Sequence, residues 1–284
     1  MKIRDFLDGI ERFEDDMSYL KLSFKNEYDD YERKNIYQIA RKISRVNIPK
    51  SISNKEKVKE EVIKPFFLRS LKVFENSFIS DYYNEKTKKI KLIRDSNLDE
   101  HEANLYFTSG EGRDTRFKIY IPSGQLTVSD QMSYAHEMGH VPEIEKPRST
   151  YIEYTEALPI FMEYIIELRR HKDSQKALDE FLLDRLVAEQ SEARDLMKIY
   201  KQCESKNETV QLYHFHVFAD YYKYLESLDF ALQLIDRLNT DKDTVSCEVE
   251  NVIKGKSMND VACDLDINTL YCKRLQKEYK RISR

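Results

Sequence analysis

The chain has 284 residues, 40% of them hydrophobic and 35% charged, with only 6 Gly and 6 Pro, so it can bury a substantial core and is neither a fibrous nor a low-complexity sequence. A net charge of −4 with both signs interspersed excludes a global field favouring nucleic acid or an anionic membrane. No apolar run reaches the roughly 18 residues of a membrane span, and the charged start Met1-Lys2-Ile3-Arg4-Asp5 does not resemble a secretion signal, which predicts a cytoplasmic protein.

From Ile3 to about Val46 apolar residues recur every three or four positions, predicting two or more amphipathic helices. Residues 50–61 read as a polar connection, and helical periodicity returns from Phe66 to about Tyr83. Between Ile90 and Ile121 strand formers appear in two runs, Leu105-Tyr106-Phe107-Thr108 and Phe117-Lys118-Ile119-Tyr120-Ile121, separated by the turn residues Ser109-Gly110-Glu111-Gly112. These predict a small antiparallel sheet. The lysines from Lys86 to Arg94 lack interleaved aromatics and read as a surface strand rather than a nucleic-acid patch.

Beyond Gly124, Thr127 and Asp130 have capping-box spacing ahead of a helix running to about Val141. Long periodic segments follow near 151–171, 174–204, 207–237 and 257–282. The fold class is mainly α with a minor antiparallel sheet, arranged as an N-terminal helical segment over 1–88 and a core over 89–284. Cys203, Cys247, Cys263 and Cys272 show no CxxC spacing and read as reduced, half-buried packing residues. His101 and His216 read as structural or surface histidines, and His171, which follows two arginines, reads as part of a solvated face.

The capped helix carries His136-Glu137-Met138-Gly139-His140, an HExxH sequence. Residues four apart share a helix face, so both imidazoles can reach one ion while Glu137 stands beside it. Two neutral nitrogens and a carboxylate suit Zn2+ with a fourth position for water, whose proton Glu137 would take. The third ligand should come from a neighbouring helix. Glu143 and Glu145 lie just past the catalytic helix beside Pro142, too close to fold back. Glu153 and Glu156 are nearly tied on spacing, and Glu156 and Glu163, two turns apart on one face, suit a ligand and a carboxylate that orients an imidazole.

Three stretches resemble the M3 family of metallopeptidases, of the thimet oligopeptidase and oligoendopeptidase F type. Ser129 to His140 is similar to the family's catalytic helix, with its HExGH motif. Tyr154-Thr155-Glu156-Ala157-Leu158-Pro159-Ile160-Phe161-Met162-Glu163 resembles the helix supplying the third ligand, which favours Glu156 over Glu153. His214-Phe215-His216-Val217-Phe218-Ala219-Asp220-Tyr221-Tyr222-Lys223-Tyr224 is similar to the histidine-then-tyrosines segment of the oligoendopeptidase F branch. The resemblance spans residues 100–284 and implies a helical zincin-like metallopeptidase core. It implies metal ligands His136, His140 and Glu156, the base Glu137, and substrate or oxyanion contacts from His214, Tyr224 and Tyr222. A phenol is chemically suited to that last task, since an oxyanion needs a preorganised donor.

The sequence departs from the family in three ways. Members are typically longer, Glu204 to Leu212 contains no glycine where the family has a glycine-rich loop, and Pro159 sits one position late. The leading expectation is zinc-dependent hydrolysis of oligopeptides, with the peptide extended along the sheet edge near Phe117 to Ile121. Neither nucleic acid nor membrane is expected as a partner. Two alternatives remain. One is an ImmA/IrrE-like protease acting on one regulatory protein, and the other is a zinc-binding scaffold that holds peptides or a protein partner without turnover.

Overall fold

The structure is a computed structural model that describes residues 41, 43–45, 56–98, 103–110, 113–145, 154–202, 208–269 and 272–282. The helices expected over residues 3–46 lie, apart from 41 and 43–45, outside the described residues. The chain divides into two compact units, residues 1–46 with 189–222, and residues 47–188 with 223–284. In the first, Ile43 and Ala193 are buried, and Gln190 donates to the Ile43 carbonyl at 3.4 Å.

The helical run expected from Phe66 to Tyr83 is two helices, α1 (Glu60–Ser70) and α2 (Ser77–Lys89). A 3-10 turn over Leu71–Phe74 ends at Glu75, whose φ of 51° is left-handed, and Asn76 restarts the chain by accepting from the Phe78 and Ile79 amides. Periodicity does not register such a break, because Phe67, Leu71 and Phe74 stay on the buried side through it.

The sheet holds β1 (Lys91–Asp95), β2 (Asn104–Gly110) and β3 (Arg113–Pro122) in the order β1-β3-β2. It is mixed rather than antiparallel. β2 and β3 form the expected antiparallel pair, but two chain reversals bring β3 round to run parallel to β1, with Leu92 opposite Ile119. This overturns the expected peptide path as well. Residues Phe117 to Ile121 lie on the central strand, whose two sides are taken by the edge strands β1 and β2. Along β3, Phe117, Ile119 and Ile121 are buried while Arg116 and Lys118 are exposed, the alternation of a sheet covering a core on one face.

Residues 56–58 zip against 126–128 through Val58 N–H to the Leu126 carbonyl (2.9 Å) and Val128 N–H to the Glu56 carbonyl (3.1 Å). Immediately after, Thr127 donates from its amide (2.6 Å) and hydroxyl (3.0 Å) to Asp130, opening helix α3 (Val128–Glu145). The helix outruns its expected end at Val141, passing through Pro142, so Glu143 and Glu145 belong to its last turn rather than to a loop. Glu145 accepts from Tyr82 (2.9 Å) and pairs with Lys86, anchoring that end to α2.

Helix α4 (Ala157–His171) packs along α3, burying an unbroken run from Ala157 to Glu167. His171 at its end is mostly enclosed and pairs with Glu167 at 3.2 Å, so it is not on the solvated face expected of it. Then come α5 (Ser174–Gln202), α6 (Glu208–Thr240) and α7 (Lys242–Lys254), the last closed by Gly255 at φ 117°, a conformation that favours glycine. The helix expected over 257–282 is two, α8 (Met258–Asp264) and α9 (Lys273–Ile282), because Asp266 and Cys272 take left-handed φ values of 49° and 45°. The Ser257–Asp260 capping box opens α8, and buried Asp229 accepts the Leu275 amide at 2.7 Å to open α9. Cys272 is buried, but Cys247 and Cys263 are exposed, unlike the half-buried packing expected of them; Cys203 lies outside the described residues. Among the described residues, no helix is long and apolar enough to cross a membrane.

Candidate metal centre

One turn apart on α3, His136 and His140 set their rings edge to face, with centroids 5.0 Å apart. Opposite them stands Glu156, the residue that caps the start of α4. Its carboxylate makes no capping bond to its own helix. Instead Oε2 lies 3.1 Å from His136 Nε2 and 3.6 Å from His140 Nε2. Two ligands about 2.1 Å from one zinc ion at the tetrahedral angle stand roughly 3.4 Å apart, so these separations match a shared ion. One donor atom from each of His136, His140 and Glu156 falls within 4.8 Å of the other two, and this is the one such group among the described residues.

Gly139 is what lets α4 deliver Glu156. A Cβ at Gly139 would sit 2.5 Å from the Pro159 Cα and 2.8 Å from its nitrogen, well inside any tolerable contact. The two helix backbones therefore touch, and the start of α4 is held against the histidine face. The glycine within the motif is explained by this contact alone.

Two turns along α4, Glu163 is fully buried and its Oε1 lies 2.6 Å from His136 Nδ1. That bond has Nδ1 donate to Glu163 and aims Nε2 at Glu156 and the candidate ion position. The seven-residue spacing of Glu156 and Glu163 thus divides the two carboxylates between the two nitrogens of one imidazole.

The electrostatics distinguish the two histidines. Burial would lower the His136 pKa, but hydrogen bonds and attraction from Glu156 and Glu163 outweigh it and push it up to about 9. Burial and repulsion from His136 hold His140 down at about 4. For Glu156, the cost of burial is outweighed by His136, His140 and Arg185, which keep it below the usual carboxylate range. Glu137 is raised by burial to about 7, against the opposing pull of His136 and a hydrogen bond from the Leu105 backbone N–H.

That last contact, and a second feature, are not signalled by the sequence motif. Leu105 lies on β2, so the sheet edge abuts the candidate base. Arg185 on α5 pairs with the second oxygen of Glu163 and also donates to the Tyr224 hydroxyl on α6. Tyr224 is thereby joined to the ligand cluster through two intervening side chains. The side chains of His214 and Tyr222, and all of Glu153, lie outside the described residues. No periodicity points to Arg185, which reads as one more cation on an amphipathic helix.

No protein-family model, no curated protein and no solved structure matches this chain.

Proposed function

We propose that this chain is a metal-dependent peptidase that hydrolyses peptide bonds in extended peptide segments. The carrying observation is the convergence of His136, His140 and Glu156 donors at zinc-like separations, with Glu137 on the same helix turn and its carboxyl anchored to the sheet edge. Two imidazoles and one carboxylate with room for water form a zinc donor set. A zinc ion bound there supplies Lewis acidity to a substrate carbonyl and to water.

The chain's own groups account for the rest. Glu137, with a pKa near 7, is suited to accept a proton from the attacking water at neutral pH and to return it to the departing amine. Tyr224 offers a phenol O–H to the oxygen that gains negative charge. Strand β2 offers an edge with no strand paired on its outer side among the described residues, onto which an extended peptide can add by main-chain hydrogen bonds. Leu105 fixes the register, because its N–H is spent on Glu137, so the scissile bond of a strand seated there lies beside the base.

The test is mass-spectrometric profiling of a mixed peptide library incubated with zinc-loaded protein, with Glu137→Gln as the control. Cleavage present in the parent chain and absent in the variant is the expected result. Equal cleavage by both removes Glu137 from the mechanism. Zinc binding without cleavage of any peptide would replace this reading with a protease for a single protein or with a non-catalytic scaffold.

A further inference from the structure

Glu163 is fully buried, yet its carboxylate faces two cationic or potentially cationic groups, His136 through Oε1 and Arg185 through Oε2. A buried carboxylate bonded only to an imidazole would leave its second oxygen without a partner and its plane unfixed, so the ring it orients would be loosely held. The guanidinium opposite it holds the second oxygen, which fixes the plane of the carboxylate that faces the Nδ1–H. Arg185 is itself mostly enclosed, with a side chain 19% exposed, and its two terminal nitrogens go to different partners, Nη2 to Glu163 and Nη1 to the Tyr224 hydroxyl.

The direction of the second bond follows from chemistry. A guanidinium has five N–H donors and no acceptor, so in the Arg185–Tyr224 bond the phenol oxygen must accept. The phenol's single proton is therefore directed to something other than Arg185. The same bond withdraws electron density from the oxygen and makes that O–H the stronger donor. The planar fork also fixes the angle between its two bonds, which places Tyr224 relative to Glu163 and hence relative to His136.

We propose that Arg185 is a positioning residue that joins the two halves of the site, one nitrogen holding Glu163 in the orientation that faces His136 and the other aiming the Tyr224 hydroxyl as a donor. The proposal rests on the peptidase reading for the use made of Tyr224, and on the metal centre alone for the use made of Glu163. It predicts that a residue which touches neither metal nor substrate sets both metal affinity and turnover. Loss of Tyr224 affects turnover only.

Zinc affinity, measured by chelator competition, and kcat and KM on a cleaved peptide would be compared for the parent chain, Arg185→Met, Arg185→Lys, Tyr224→Phe and the Arg185→Met/Tyr224→Phe double variant. Arg185→Met is expected to weaken zinc about tenfold, the size typical of a lost partner behind a ligand. Tyr224→Phe keeps parental zinc affinity. In Arg185→Met kcat falls with little change in KM, and adding Tyr224→Phe lowers kcat no further, because the phenol is already misdirected. Arg185→Lys, which keeps the charge and avoids a buried unpaired Glu163 should Arg185→Met not fold, retains zinc within about twofold but not kcat, since one ammonium cannot reproduce the fork. Parental zinc affinity in a folded Arg185→Met, fully multiplying kcat losses in the double variant, or full kcat in Arg185→Lys would each overturn the proposal. Absence of hydrolysis in the parent chain would remove the peptidase reading, and chelator competition on the Arg185 variants would still decide whether Arg185 supports His136.

Discussion

The two sides of the site are built differently. On the α3–α4 side, His136, Glu137, His140, Glu156 and Glu163 span 28 consecutive positions, and helix periodicity with one close backbone approach puts them together. On the other side, Leu105 comes from an edge strand, Arg185 from α5 and Tyr224 from α6, and only long-range packing unites them. The first side could hold an ion, and on the proposed reading the second holds what reacts beside it. Substitutions on the first side should therefore register in metal affinity or stability and that of Tyr224 on the second in turnover, while Arg185, which reaches Glu163 across the division, should register in both.

Glu137 breaks the pattern in an informative way, because it lies on the helix of the two histidines but faces the sheet edge. Glu137→Gln should keep one zinc per chain and lower kcat by about 10³-fold, within the range for a lost general base, read by peptide hydrolysis alongside metal analysis. A parallel loss of zinc would move Glu137 into the ligand set. Glu163→Gln should behave as a metal-side change, weakening zinc by roughly 10- to 100-fold in chelator competition, because the amide cannot hold the His136 Nδ1–H as a carboxylate does.

Gly139→Ala tests whether the two helices need their backbone contact. The added methyl must displace Pro159, and an overpacking cost of about 1–3 kcal/mol is expected in thermal or denaturant unfolding, with weaker zinc binding as α4 carries Glu156 away. An unchanged stability would mean that α4 can slide without consequence for the site.

The smallest effect concerns pH and separates the histidines. Without metal, His136 holds its proton up to about pH 9, whereas His140, at about 4, is already neutral at pH 7. An ion must displace the His136 proton, so zinc affinity should rise with pH by close to tenfold per unit between about pH 7 and 9 and level off above. Proton release on zinc binding, followed by calorimetry in buffers of different ionisation enthalpy, should approach one per ion near pH 7 and fall toward zero above pH 9. The same shift works in the opposite sense on the metal-free fold. A histidine raised from 6.5 to about 9 contributes stability that is complete below 6.5 and lost as pH climbs through 9.

What could be read from the sequence follows the same division. The capping pair Thr127–Asp130, the shared face of His136 and His140, and the seven-residue step from Glu156 to Glu163 are local, so a 3.6-residue period places them. The central position of β3 was not legible, because strand order depends on where β1 docks and the run Lys91 to Asp95 says nothing about its neighbour. Nor were the breaks at Glu75 and at Asp266 to Cys272, where non-glycine residues take left-handed backbone without a compositional mark. Arg185 was invisible for a related reason. Its meaning lies in two partners 22 and 39 positions away, and nothing in the residues beside it differs from an ordinary helix surface.

The central claim is that His136, His140 and Glu156 form one metal centre, and zinc titration with metal analysis tests it most directly. The parent chain should bind a single zinc tightly, with affinity falling steeply in both His140→Ala and Glu156→Gln while both variants remain folded. Failure of the parent chain to bind zinc, or unchanged binding in Glu156→Gln, would contradict it.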